Sequence, residues 1–235
     1  MQTAEIELKF PIHDLAGLQS RLPGLGFQLD TPRAFEQNTL YDTPSRSLRL
    51  AKQILRIRRY GDLWILTHKR PADASADGGP DGSGAPASSS ASASYKVRIE
   101  TETQVDDGLA LASLFEQLGY VAVFRYEKYR TEWSHTPSPI ERAMVAAASP
   151  PSDVPLNPTF HLVIDETPIG NYAELEGPPA WIDATVSALG IDPARCITDS
   201  YGRLFLSWKE RTRSSAENLT FDEISAPELL QPALR

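Results

Sequence analysis

The chain has 235 residues, of which 41% are hydrophobic and 23% charged, with a formal net charge of -8 and one cysteine. The length supports one sizeable core or two small ones, and the acidic balance disfavours a nucleic-acid binder that works by neutralising phosphates. A lone Cys196 excludes an internal disulfide and a cysteine-rich zinc site. No apolar run reaches the roughly 18 residues of a membrane span, and no apolar signal core follows Met1. The expectation is therefore a soluble, cytoplasmic protein with no membrane or nucleic-acid partner.

Residues 4–10 alternate charged and apolar, the period of a half-buried strand. Leu15, Leu18 and Leu22 recur at helical spacing, with Asp14 placed to cap the helix and Pro23-Gly24 to end it. A strand is predicted at 37–42, followed by a turn through Asp42 to Ser45 that also takes in Tyr41. Residues 54–60 and 63–69 read as a hairpin joined by Tyr60-Gly61-Asp62. Residues 71–94 hold almost only Ala, Ser, Gly, Pro and Asp, which offers nothing to bury and predicts a disordered insertion.

Regular structure resumes with a strand from Tyr95 to Gln104, a helix over 107–118 and a strand over 122–134. A second long loop covers about 136–158, with a short helix available at Ile140–Ala148. Strands follow at 160–166 and 171–176, and helices at 180–189 and 199–211. Residues 1–210 then form one domain, and 211–235 read as a loose tail.

Residues two apart on a strand share a face. One face of this strand series collects Glu5, Glu7, Glu100, Glu102, Asp165, Glu174 and Glu176 with Lys9, Arg56, Arg58, Lys69, Arg98, Lys128 and Arg130. A wet sheet face gives the same alternation on a single strand. Here it recurs strand after strand, carries Glu and Arg where Thr and Ser would do, and leaves the apolar faces for the amphipathic helices. A sheet curled into a barrel, charges inside and helices outside, satisfies all three. Buried acids and bases in near balance require pairing or a ligand. A triphosphate with roughly four negative charges and divalent cations matches such a lining. Carboxylates suit Mg²⁺ or Mn²⁺, and arginine forks suit phosphate oxygens.

Glu5-x-Glu7-x-Lys9 resembles the opening signature of the CYTH superfamily, the triphosphate tunnel metalloenzymes. In order, Leu55-Arg56-Ile57-Arg58, Leu66-Thr67-His68-Lys69, Lys96 to Glu102, Lys128-Tyr129-Arg130, Asp165 and Gly170 to Gly177 are similar to the later motifs of that family. The resemblance implies an α+β fold, a closed eight-stranded antiparallel barrel with helices packed outside. It implies that Glu5, Glu7, Asp165, Glu174 and Glu176 hold Mg²⁺, with Mn²⁺ an alternative. It further implies that Lys9, Arg56, Arg58, Lys69, Arg98, Lys128 and Arg130 bind substrate, with Lys9 and Lys69 serving catalysis. Arg98, Glu100 and Glu102 are expected to order the other groups.

The expected reaction is metal-dependent hydrolysis of a triphosphate by a monomer, with thiamine triphosphate or inorganic tripolyphosphate as substrate. The alternatives are a class IV-type adenylate cyclase and a polyphosphate-binding module without turnover. Two departures stand out. Ile54 occupies a position that is tryptophan in mammalian-type thiamine triphosphatases, leaving Trp64 or Tyr60 as possible substitutes. No basic residue matches clearly on the C-terminal helix, and Arg195 is the nearest. His13, His68, His135 and His161 lack metal-ligand spacing and are expected to be structural or exposed.

Overall fold

The computed structural model describes residues 2–72, 95–148 and 160–224. The expected disordered insertion lies, from residue 73, outside the described residues, as does the second loop from 149 to 159. Eight strands close into an antiparallel barrel: β1 (Gln2–Ile12), β2 (Phe27–Asp42), β3 (Ile54–Tyr60), β4 (Leu63–Pro71), β5 (Lys96–Val105), β6 (Val121–His135), β7 (His161–Thr167) and β8 (Gly170–Glu176). Around the ring the order is β1, β5, β4, β3, β2, β6, β7, β8. The first strand closes the ring, pairing with β5 along one edge (Glu7 opposite Lys96) and with β8 along the other (Glu7 opposite Glu176). β5 takes β1 from Gln2 to Glu7 and β8 takes it from Glu7 to Ile12, so each neighbour pairs with half of the strand and Glu7 is where the two ladders meet.

The helices are α1 (Leu15–Arg21), α2 (Ser47–Leu50), α3 (Gly108–Gln117), α4 (Pro139–Ala148), α5 (Pro179–Ala188) and α6 (Tyr201–Thr212). Capping fixes where several begin. The Asp14 carboxylate accepts from the Gly17 amide at 2.9 Å, and Asp107 accepts from Leu109 and Ala110. Asp42 accepts from the amides of Thr43, Leu48 and Arg49, so it organises the turn into α2.

The apolar positions of the strands face outward onto these helices. Leu8 and Phe10 of β1, Leu162 and Ile164 of β7 and Leu175 of β8 pack on Leu18 of α1 and on Trp181, Ile182 and Val186 of α5. Val145 of α4 joins the same cluster. A second cluster under α3 joins Phe115 to Tyr41 and Ile57, with Trp64 packed at its side. A third differs in using the inner face of β6, where Tyr126 packs with Phe205 and Trp208 of α6 and with Ala216, Leu219 and Ile224.

Two elements differ from the sequence expectation. β2 starts at Phe27, ten residues before the predicted strand. Pro32 hides that first half, because it removes a ladder donor and falls where the β2–β6 register shifts between Thr31 and Ala34. The tail expected to be loose from 211 is ordered and packed through 224. β6 pairs with β7 only from Tyr129 onward, which leaves its earlier half unpaired on that edge. Leu219 fills this edge, donating to the Arg125 carbonyl at 3.0 Å and accepting from the Glu127 amide at 2.9 Å. Leu219 is fully buried. Residues 225–235 lie outside the described residues.

Candidate active site

The inward positions of the strands surround a cavity of about 380 Å³. Seven carboxylates line it (Glu5, Glu7, Glu100, Glu102, Glu132, Glu174 and Glu176), facing seven cations (Lys9, Arg56, Arg58, Lys69, Lys96, Lys128 and Arg130). Twelve of the fourteen charged residues assigned to the inner face from sequence are on this wall. The other two are Arg98 and Asp165. Arg98 lies opposite Glu5 in the β1–β5 ladder but off the cavity wall, and its Nη1 has no hydrogen-bond partner among the described residues.

The structure also places Asp165 off the cavity wall, at zero exposure. Its carboxylate takes a two-pronged bond from Arg130, both contacts at 2.7 Å, with Lys128 at 3.0 Å and the Tyr201 hydroxyl at 2.6 Å. Beside it lies Glu36, also fully buried, which accepts from the Asn38 side-chain amide at 2.8 Å and pairs with Lys128 at 3.3 Å. Burial opposes the charge on Glu36, yet Lys128, Arg130 and Arg58 outweigh it and hold the carboxyl far below the usual range. Together Glu36 and Asp165 anchor the bases of β6 from beneath.

Two faces of the cavity carry distinct chemistry. On the β3–β4 side, Arg56 donates to the Tyr126 hydroxyl at 2.9 Å and to Thr67 at 3.1 Å, while Arg56 and Arg58 both reach Glu102 at 3.4 Å. On the β1–β5–β8 side the carboxylates gather. Lys69 bridges Glu5 at 2.6 Å and Glu100 at 3.1 Å, Lys96 pairs with Glu7, and Lys9 meets Glu174 at 2.5 Å. Burial disfavours ionising Glu174, but Lys9, Arg130 and Lys128 hold its carboxyl well below the ordinary value. Glu176 behaves oppositely. Burial, then the nearby Glu5, and further Glu100 and Glu7, push it up to about 7. Burial also raises Glu100, against the pull of Lys69.

Burial is the main cause of that push and the neighbouring Glu5, Glu100 and Glu7 add to it; carboxylates gathered in this way are a donor set that suits a hard divalent cation. Among the described residues, no three carboxylate, imidazole or thiol groups already converge on one point. The lysines account for this: Glu5, Glu7 and Glu174 each hold one.

Several residues fall outside the expectations. Lys96, Glu132 and Tyr201 line the cavity without having been assigned to it, and so does His161, which stands opposite Glu176 in the β7–β8 ladder. Lys96 shares the period-two face of Arg98 and Glu100 on β5 and was legible from that period. Glu36 was masked with the hidden half of β2, and Tyr201 belongs to a helix start rather than a strand. His135 bonds Glu141 at 3.0 Å and packs on Phe27 and Trp181, a structural role. Trp64 cannot stand in for an aromatic at Ile54. It faces outward against Gly108, where a Cβ would lie 2.1 Å from the indole. Ile54 itself lines the cavity beside Leu40 and Phe124. Arg195 ends a short 3-10 turn, Pro193–Arg195, exposed and off the cavity wall, so it is not the missing base of the C-terminal helix.

The barrel has counterparts among known proteins. A family model described as the CYTH domain matches residues 3–176. The chain belongs to the CYTH family. No curated protein matches the sequence. Among solved structures, the PH1819 protein of Pyrococcus horikoshii is similar at 20% identity, covering 87% of this chain and 99% of that one with a TM-score of 0.57. A Vibrio parahaemolyticus protein described as a candidate adenylate cyclase is similar at 15% identity, covering 86% and 97% with a TM-score of 0.56. A Hippeastrum protein described as a candidate adenylyl cyclase with a dominant triphosphatase activity is similar at 15% identity, covering 88% and 96% with a TM-score of 0.52. At these identities the likeness is one of fold, and the CYTH barrel is what all four share.

Proposed function

We propose that this CYTH barrel hydrolyses a triphosphate to its diphosphate and phosphate, with Mg²⁺ as the preferred ion and Mn²⁺ as the alternative. The observation that carries the reading is the matched ring of seven cations and seven carboxylates around one cavity. Such a lining matches a polyanion bound with divalent cations, and it repels apolar ligands. Glu5, Glu7, Glu174 and Glu176 are the residues proposed to hold the ion. Asp165, assigned to that set from sequence, would join it only by releasing Tyr201, Lys128 or Arg130. When bound, the ion supplies Lewis-acid polarisation of the phosphoryl group and acidifies the attacking water.

The remaining work falls to the chain's own side chains. Arg56, Arg58 and Lys69 on one wall and Lys9, Lys128 and Arg130 on the other bind phosphate oxygens, the arginines by two-pronged contacts. With an ion held by Glu5 and Glu174, Lys69 and Lys9 would be free to turn to the substrate. The water oxygen bonds to the terminal phosphorus as the bridging P–O bond breaks. The same cations then stabilise the charge that accumulates on the departing diphosphate.

The apolar flank of Leu40, Ile54 and Phe124 gives an organic group a place to lie. It favours an ester such as thiamine triphosphate over bare tripolyphosphate, and it supports cyclisation of ATP as the second reading. Pure protein incubated with ATP, tripolyphosphate and thiamine triphosphate, with Mg²⁺ and with chelator, tests both. Mg²⁺-dependent phosphate release is expected. Cyclic AMP without phosphate release overturns the hydrolase reading.

A further inference from the structure

Tyr201 is the first residue of α6, set by the Ser200 N-cap, yet its ring lies inside the barrel. Two of the four lysines on the cavity wall rest against it. Lys9 Nζ stands 4.5 Å from the ring centroid and Lys128 Nζ 5.2 Å. The hydroxyl donates to Asp165 at 2.6 Å, and Asp165 in turn clamps Arg130. The ring also packs on Tyr126, centroids 5.8 Å apart, whose hydroxyl accepts from Arg56. One aromatic side chain, 7% exposed, therefore touches or underlies four of the cations on the cavity wall.

A lysine head is a point charge on a flexible stem, and an ion pair alone leaves it free to swing. An aromatic face adds a second direction of attraction, strongest where water is excluded. A grip on phosphate works best when its donors are already in place. From this geometry we infer that Tyr201 is a positioning residue, whose ring holds Lys9 and Lys128 in the orientation that grips the phosphate chain, while its hydroxyl fixes Asp165 beneath Arg130. The inference rests on the triphosphate reading of the same cavity. The ring, rather than the hydroxyl, sets the two lysines, because the cations sit over its face.

The test compares wild type, Tyr201→Phe and Tyr201→Leu in the full chain. Carbon-13 spectra of the lysine ε-methylenes in ligand-free protein read the ring contact directly. Two lysines shifted upfield by the ring are expected in wild type and in Tyr201→Phe, and both shifts are lost in Tyr201→Leu. Titration with inorganic tripolyphosphate in chelator reads the grip without turnover. Affinity is expected to fall about tenfold in Tyr201→Leu, on the order of other supporting-residue effects, and clearly less in Tyr201→Phe. Upfield lysines with unchanged tripolyphosphate affinity in Tyr201→Leu overturn the positioning role, and so do equal losses in both variants. Tripolyphosphate binding without hydrolysis of any triphosphate overturns the enzyme reading and leaves Tyr201 to be judged by affinity alone. A wild type that does not bind tripolyphosphate overturns both.

Discussion

The same strands build two interiors that obey opposite rules. Outside the barrel, Leu8, Phe10, Leu162, Ile164 and Leu175 meet Trp181 and Ile182 in a layer held by apolar burial. One residue along, Glu7, Lys9, Glu174 and Asp165 face inward, each held by an opposite partner. The outer layer tolerates any side chain of similar volume and no charge. The inner one tolerates charge only in pairs. Stability should therefore follow the outer face, and chemistry the inner face, except where an inner charge is fully enclosed.

The largest effects test that exception. Trp181→Ala removes a fully buried side chain and should cost about 3–5 kcal/mol in denaturant unfolding. Asp165→Asn should cost about as much although it changes almost no volume, since it strands Arg130 and Lys128 beside an uncharged amide. A near-neutral Asp165→Asn would mean that the enclosed network contributes nothing to folding and that the two interiors are less distinct than the geometry suggests.

Next in size comes activity. Arg56→Met should lower kcat/KM for the triphosphate by about a hundredfold, as loss of one donor to developing charge does elsewhere. Its melting temperature should stay near wild type, because Glu102 keeps Arg58 and Thr67. A large drop in melting temperature with activity retained reverses the assignment of the two faces.

A smaller effect concerns pH. Glu176 is raised to about 7 in the folded protein, mainly by burial and then by Glu5. A folded-state value above the unfolded one of about 4.3 means that the folded form holds the extra proton. Its stabilising contribution is complete below the unfolded value and is lost as pH rises through about 7. In chelator, the melting temperature should fall between pH 5.5 and 8, and added Mg²⁺ should restore more at pH 8 than at pH 6. Equal Mg²⁺ stabilisation at both pH values would remove Glu176 from the ion site. The smallest change expected is in selectivity: Ile54→Ala should reduce kcat/KM for thiamine triphosphate relative to tripolyphosphate by roughly threefold to tenfold.

Period-two alternation made the inner face of β1, β3, β4 and β8 legible, because each strand there runs unbroken and each face has one job. Lys9 opposite Glu174 is a register fact and was not legible, since it depends on how β1 meets β8. Glu36 was lost for a local reason, the proline and register shifts that break the first half of β2. Tyr201 was lost for a different one. Nothing in a helix-start sequence says that its ring turns into the barrel. The packed segment at 216–224 went unread because its residues fill a strand edge that exists only once β7 has stopped pairing.

Ring closure at β1 also sets an order of events for the chain. Glu7 must meet Glu176 and Lys96 together, so the earliest-made strand of the barrel is the last to find both its neighbours. Contacts this distant along the chain make for slow folding, and until they form, the inward lysines and glutamates have water rather than each other. The charged face is then the harmless one, soluble while unpaired. The risk during synthesis lies with Leu8 and Phe10, which must wait for α5 to arrive before they have anything to pack against.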